Sequence, residues 1–193
     1  MTKIEIKNHS GKPIRSFDDW EKFALPQERH GHWQEGRSAC ELGRSWTASG
    51  EPAVPGELTH LLESHEGTRG ILIRTGITEH ETRLPFATRG PRSHDLALQG
   101  EQNGAPVTIC IEAKADESFG GTVANELKKA KDRVKAKKQS ETRFPERLDW
   151  LTHTLLGLRA FEGDNLIELS AGFAELPYQL LSAIGGTLIE AQL

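Results

Sequence analysis

The Asn103-Gly104 pair constrains the fold most, because it lies between two short segments with the composition of β-strands. Asn-Gly is the strongest short signal for a two-residue hairpin turn, since both residues readily adopt positive φ angles. The flanking segments, 95–99 and 107–114, are therefore predicted to pair as antiparallel strands. A turn of fixed length also fixes which residues face each other across the hairpin.

The predicted register places Asp95 directly opposite Glu112. Side chains alternate along a strand, so Lys114 shares the face of Glu112, and the other face is apolar. That apolar face comprises Leu96, Leu98, Val107, Ile109 and Ile111. Two facing carboxylates destabilise a sheet unless something compensates their charge, and Mg²⁺ or Mn²⁺ is the simplest compensation. The alternative is an ordinary strand in which Lys114 pairs with one of the carboxylates.

The cluster of Asp95, Glu112 and Lys114 suits metal-assisted hydrolysis. A divalent cation polarises a phosphate oxygen and lowers the pKa of a bound water, while a lysine orients that water or offsets developing charge. The sequence therefore predicts Asp95 and Glu112 as metal ligands and all three residues as catalytic.

Helical patterns lie on both sides of the predicted strands. Capping-box sequences at Ser16 and Ser38 and the Pro55-Gly pair mark three helix starts, and an apolar stripe runs from Val123 to Val134. The predicted helices are 16–25, 38–49, 55–65, 122–138, 146–158 and 177–191. Further strands are predicted at 71–74 and 77–84, as a hairpin across Thr75-Gly76, and at 167–169. This order predicts an α/β (α+β) fold with one central mixed β-sheet of about four to five strands flanked by helices.

Bulk properties narrow the class of protein. A chain of 193 residues predicts a single domain over 1–193, and its two cysteines, Cys40 and Cys110, are too few and too separated for a disulfide framework. No stretch approaches the ~18 apolar residues of a membrane span, and no signal peptide is evident. We therefore expect a cytoplasmic protein without membrane association. The net charge is −4, yet residues 128–138 form a strongly basic segment.

Asp95, followed by Ile109-Cys-Ile-Glu112-Ala-Lys114 at the end of an apolar strand, resembles the D-(x)n-(D/E)-x-K motif of the PD-(D/E)XK nuclease superfamily. The residue before Asp95 is His94, where the pattern has proline. Segments 112–121 and 178–181 also resemble a bacterial protein family of no assigned activity.

The resemblance implies a restriction-endonuclease-like core over about 38–138, with N-terminal and C-terminal helical additions. It implies Mg²⁺-dependent (or Mn²⁺-dependent) hydrolysis of nucleic-acid phosphodiesters, with DNA favoured over RNA, and by analogy a homodimer. Many members of the superfamily also use a glutamate from the first core helix. Glu41 is the candidate for it here, with Glu57 and Glu63 as rivals and helix capping as the competing role of Glu41. Some members place a glutamine near the site from a late helix, and Gln179 is the candidate for that position. A catalytically inactive nucleic-acid or protein-binding module on the same fold is the alternative, because some members have lost catalysis.

Other residues are weaker candidates. Lys128, Lys129 and Lys131 are candidates for contacting a phosphate backbone, although a solvated helix face explains them equally well. His94 could contact substrate or the metal shell, and a structural role is the competing interpretation. His30, His32 and His80 lack the spacing of a zinc site.

Overall fold

The structure is a computed structural model that describes residues 2–24, 33–87, 90–136, 142–162, 165–166 and 172–192. Within these residues the chain forms helices and strands in mixed order. The strands are β1 (Glu5–Asn8), β2 (Pro13–Ile14), β3 (Leu72–Thr82), β4 (Arg92–Gln102), β5 (Ala105–Ile111), β6 (Phe161–Glu162) and β7 (Asn165–Leu166). The helices are α1 (Phe17–Phe23), α2 (Ser38–Trp46), α3 (Gly56–Ser64), α4 (Val123–Lys135), α5 (Phe144–Leu156) and α6 (Tyr178–Glu190).

One mixed five-stranded sheet has the order β2-β1-β3-β4-β5. Strand β1 runs parallel to β3 and antiparallel to β2, and β4 runs antiparallel to β5. Strands β6 and β7 form a separate antiparallel pair. The predicted fold class, an α+β protein with a central mixed sheet flanked by helices, is confirmed.

The predicted hairpin register between β4 and β5 is confirmed. Gln102 pairs with Ala105, and the ladder continues to Leu96 opposite Ile111. Asn103 and Gly104 have φ angles of 52° and 79°, as a tight hairpin turn with two positive φ values requires.

The predicted hairpin over 71–84 is wrong. Strand β3 continues through Thr75-Gly76, and Gly76 pairs with Ile6 of β1. The side chains of Leu98 and Leu96 approach Gly76 so closely that a Cβ there would lie 3.1 and 3.2 Å from them. This glycine therefore permits close packing inside a strand and does not form a turn.

Contacts divide the chain into two compact units, Met1–Glu81 with Ser93–Glu117, and Thr82–Arg92 with Ser118–Leu193. The single domain predicted over 1–193 stays a prediction. In the first unit, Trp20 of α1 and Trp46 of α2 pack with Leu96 and Leu98 of the sheet. In the second unit, helices α4, α5 and α6 share a core that includes Val123, Leu127, Leu148, Leu151 and Leu181.

Most predicted helices are confirmed with ends shifted by a few residues. Ser16 caps α1 by accepting the Asp19 N–H at 3.1 Å, and Thr122 caps α4 by accepting from Asn125. The predicted capping box at Ser38 is wrong, because the cap residue of α2 is Arg37 and its side chain makes no capping bond. The predicted strand 167–169 lies outside the described residues. None of the described helices is long and apolar enough to cross a membrane.

Gly100 of β4 provides a test of how tightly β3 and β4 pack. A Cβ at Gly100 would collide with the backbone oxygen of Leu72, which cannot move without disturbing the sheet. We expect Gly100→Ala to lower the free energy of unfolding by about 3 kcal/mol in urea denaturation. Gly56→Ala is the matched control, because open space surrounds Gly56 at the start of α3 and the free energy should stay the same or rise. Equal stability of both variants would contradict this packing.

Candidate carboxylate site

The carboxylate site lies at the end of the confirmed hairpin. The last ladder pair is Leu96 with Ile111, so Asp95 is the next residue along β4 and Glu112 directly follows the end of β5. Strand β5 ends at Ile111, before the predicted end at Lys114. Residues 112–114 therefore leave the ladder, and side chains hold them in place.

Asp95 holds the segment that follows β5. Its Oδ2 accepts the backbone N–H of Ala113 at 2.7 Å. Burial, together with the nearby carboxylates of Glu112 and Glu79, raises the pKa of Asp95 to about 6, against the opposing effects of the Ala113 hydrogen bond and Lys114. The surroundings of Asp95 therefore disfavour its negative charge. A bound cation would stabilise that charge.

Glu112 and Lys114 form a largely buried ion pair. Lys114 Nζ lies 2.9 Å from Glu112 Oε1, and only 17% and 10% of the two side chains are exposed. The pair opposes the mutual repulsion of Glu112 and Asp95 without removing it, because two carboxylates face one ammonium group. The structure thus brings together the three residues that the motif predicts.

Glu79 is a residue of this site that the sequence analysis did not identify. It is 7% exposed, and its Oε2 accepts the hydroxyl of Ser93 at 2.8 Å, on the face of β4 that carries Asp95. Its φ of 49° is unusual for a residue within a strand, and Thr78 beside it is also buried, which interrupts the alternation of β3. The wrongly predicted hairpin paired 77–84 with 71–74, so it gave no reason to place Glu79 beside Asp95.

A second carboxylate holds the segment after Lys114. Glu117 accepts the Ala115 N–H at 3.2 Å through Oε2, and its Oε1 accepts the Ser38 hydroxyl at 3.1 Å and the Ser38 N–H at 3.4 Å. Partial burial raises the pKa of Glu117, but these hydrogen bonds outweigh it and lower the pKa. Arg37 and Asp116 add an ion pair at 3.2 Å. The segment next to Lys114 is thereby tied to the start of α2.

Glu41 and His94 lie in settings that explain them without catalysis. Glu41 accepts the Gly36 N–H at 3.0 Å and lies 3.6 Å from Arg44, so it stabilises the start of α2. His94 is completely buried and alternates with Leu96 and Leu98 on the core face of β4. Full burial favours the structural interpretation of His94, and its place in the site stays a prediction.

The remaining candidates belong to the second unit. Lys128, Lys129 and Lys131 are exposed on α4, but Lys129 pairs with Glu126 at 2.6 Å. Among the described residues, no carboxylate lies within ion-pair distance of Lys128 or Lys131. Gln179 of α6 lies beside the turn at Gly120, where its Oε1 would be 3.9 Å from an added Cβ.

The described residues contain no group of three or more His, Cys, Asp or Glu side chains placed to hold a metal ion. His30 and His32, weighed for zinc, lie outside the described residues. Asp95 and Glu112 nevertheless fit Mg²⁺ or Mn²⁺, since they are oxygen ligands whose repulsion such an ion would relieve.

Fold and site together define an α+β protein with a carboxylate–lysine cluster at the end of a β-hairpin. The chain belongs to the family described as Domain of unknown function (DUF6946), whose model matches residues 13–193. Searches among curated proteins and among solved structures find no match.

Asp95 should lower the stability of the protein at neutral pH. Its pKa is raised, so the folded state holds more protons than the unfolded state between pH 4 and 6, and stability is lost as pH rises through that window. We expect Asp95→Asn, which keeps an acceptor for the Ala113 N–H, to be more stable than wild type by on the order of 3 kcal/mol at pH 7, in the absence of metal. The difference should vanish below about pH 4.

Urea unfolding of both proteins from pH 3.5 to 8 measures this difference. Comparison with Asp95→Asn at each pH removes the contribution of all other titrating groups. A variant that is less stable than wild type at pH 7 would show that Asp95 is a net stabilising residue.

Glu117 should control the accessibility of Lys114. In Glu117→Gln a single amide oxygen replaces two carboxylate oxygens, so Ser38 and Ala115 cannot both be satisfied. We expect the rate of Lys114 acetylation by acetic anhydride, followed by mass spectrometry, to increase severalfold. The exposed Lys128 and Lys131 serve as internal references, and Glu101→Gln, which removes a surface ion pair with Arg74, is the matched variant. An unchanged Lys114 rate would exclude this role.

Proposed function

We propose that the protein hydrolyses nucleic-acid phosphodiester bonds with Mg²⁺ or Mn²⁺, and that DNA is its preferred substrate. The observation that carries this proposal is the β4–β5 register, which brings Asp95 together with Glu112 and Lys114 at the end of an apolar strand. The same residues form the D-(x)n-(D/E)-x-K pattern. The proposed compartment is the cytoplasm, in keeping with Cys40 and Cys110, which form no disulfide.

Asp95 and Glu112 would hold the cation, which polarises a phosphate oxygen and lowers the pKa of a bound water. The carboxylate of Asp95 would do so while its Oδ2 accepts the Ala113 N–H. The same hydrogen bond fixes the backbone between Glu112 and Lys114. The hydrogen bond from Ala113 to Asp95 therefore positions both Glu112 and Lys114.

Lys114 supplies the positive charge of the site. Its ammonium group lies against Glu112 and within a largely buried setting, where electrostatic interactions are stronger than in water. There it orients the attacking water and stabilises the negative charge that develops on the phosphate in the transition state. The anchors at Ala113 and Ala115 restrict the lysine to this place.

The experiment compares cleavage of plasmid DNA, single-stranded DNA and RNA in Mg²⁺, Mn²⁺ and EDTA. We expect wild type to cleave DNA only with the metal, and Asp95→Asn and Lys114→Met to lose at least about 100-fold in rate. Lys22→Met is the matched control, since Lys22 is an exposed lysine of α1 outside the site, and it should retain full activity. Mn²⁺ should also raise the melting temperature of wild type but not that of Asp95→Asn.

Absence of cleavage by wild type, or equal cleavage by all variants, would exclude the nuclease. The exposed lysines Lys128 and Lys131 favour one other candidate, a noncatalytic nucleic-acid-binding module. It predicts salt-dependent DNA binding in EDTA that Asp95→Asn leaves unchanged. Binding of this kind without cleavage would identify the module.

A further inference from the structure

The second unit contains a groove of about 650 Å³ that the carboxylate site does not use. One side of α5 lines it through five residues between 145 and 153, and Trp150 is one of them. Phe86 and Phe161 add aromatic surface from other parts of the chain. The volume falls in the range of about 300–1,000 Å³ that small ligands occupy, so the groove can take one flat molecule of nucleotide size.

The position of Phe86 is held by specific contacts. Its φ of 60° is uncommon for a bulky residue, and its carbonyl accepts a hydrogen bond from Arg147 at 3.4 Å. The guanidinium of Arg143 lies 4.5 Å from the centre of the Phe86 ring. One face of this ring is thus covered by a cation.

The acidic residues of the groove already have partners within the unit. Glu146 lies 3.3 Å from Arg143, and Asp149 Oδ1 accepts the Ala160 N–H at 2.8 Å. Arg159 also lines the groove and is exposed, with no carboxylate within ion-pair distance among the described residues. The Arg159 guanidinium is therefore available to an anionic ligand, and it lines the same groove as the aromatic rings.

We propose that this groove, formed by Phe86, Trp150, Phe161 and Arg159, binds one unstacked nucleotide of a single-stranded nucleic acid. The base stacks on Trp150, and the adjoining phosphate pairs with Arg159. Stacking on aromatic side chains accepts every base, so the groove confers a preference for single strands without a preference for sequence. The class of ligand, nucleic acid, rests on the proposed function. The groove adds that the protein holds this substrate as a single strand.

The test measures binding in EDTA by fluorescence anisotropy, so that it does not depend on cleavage. The probes are a fluorescein-labelled oligothymidylate and an oligonucleotide of equal length with abasic sites, which keeps the phosphates and lacks the bases. We expect wild type to bind oligothymidylate about tenfold more tightly than the abasic strand. Trp150→Leu, which keeps apolar bulk against α6, should lose that preference.

Arg159→Gln is a second variant, and it should fold normally because Arg159 is exposed. It should weaken binding of both oligonucleotides severalfold and leave their ratio unchanged. Circular dichroism checks the folding of each variant. Equal binding of both strands by wild type, a full preference in folded Trp150→Leu, or wild-type affinity in Arg159→Gln would each overturn the proposal. If the protein binds with these properties but does not cleave, the proposed nuclease activity is excluded and the proposed nucleotide-binding groove is supported.

Discussion

The register of the β4–β5 hairpin is the constraint on which the carboxylate site depends. A turn of two residues with positive φ at Asn103 and Gly104 leaves one way to pair the strands. A shift by one residue would exchange the two faces, moving Leu96 and Leu98 out of the core and Asp95 into it. Burial of those leucines and closeness of Asp95 to Glu112 are therefore two consequences of one local conformation, and selection for a stable core also maintains the site.

The site itself opposes folding. The carboxylates of Glu112 and Glu79 raise the pKa of the buried Asp95, and the Lys114 ammonium group beside Glu112 offsets part of this repulsion. Glu79 adds a positive φ within a strand, a conformation that costs on the order of 1–2 kcal/mol. A protein selected only for stability would replace these residues by apolar ones on the same positions. Strain and like-charge repulsion concentrated in one place are typical of functional sites, and here they coincide with the motif.

The elements that the sequence predicted correctly are those whose conformation depends on residues close together in the chain. Asn103-Gly104, Ser16 and the apolar stripe of α4 each act over a few positions, and the elements that they predict are present. Thr75-Gly76 has the composition of a turn, but β1 pairs with it from the distant N-terminus, so tertiary packing determines its conformation. The role of Ser38 is likewise determined by tertiary contacts, because its hydroxyl donates a hydrogen bond to Glu117, which is distant in the sequence.

Acidic residues outnumber basic ones in the first unit, whereas basic residues outnumber acidic ones in the second. The first unit holds the carboxylates, and its charge would repel a polyanion unless a cation occupied the site. The second unit holds exposed lysines on α4 and an aromatic groove ending at Arg159, which are features that attract phosphates and bases. Strand holding and bond cleavage would then depend on different residues, so a relative that lost Asp95 or Lys114 would still bind nucleic acid. If both proposals hold, loss of the carboxylate site would leave a noncatalytic binding module.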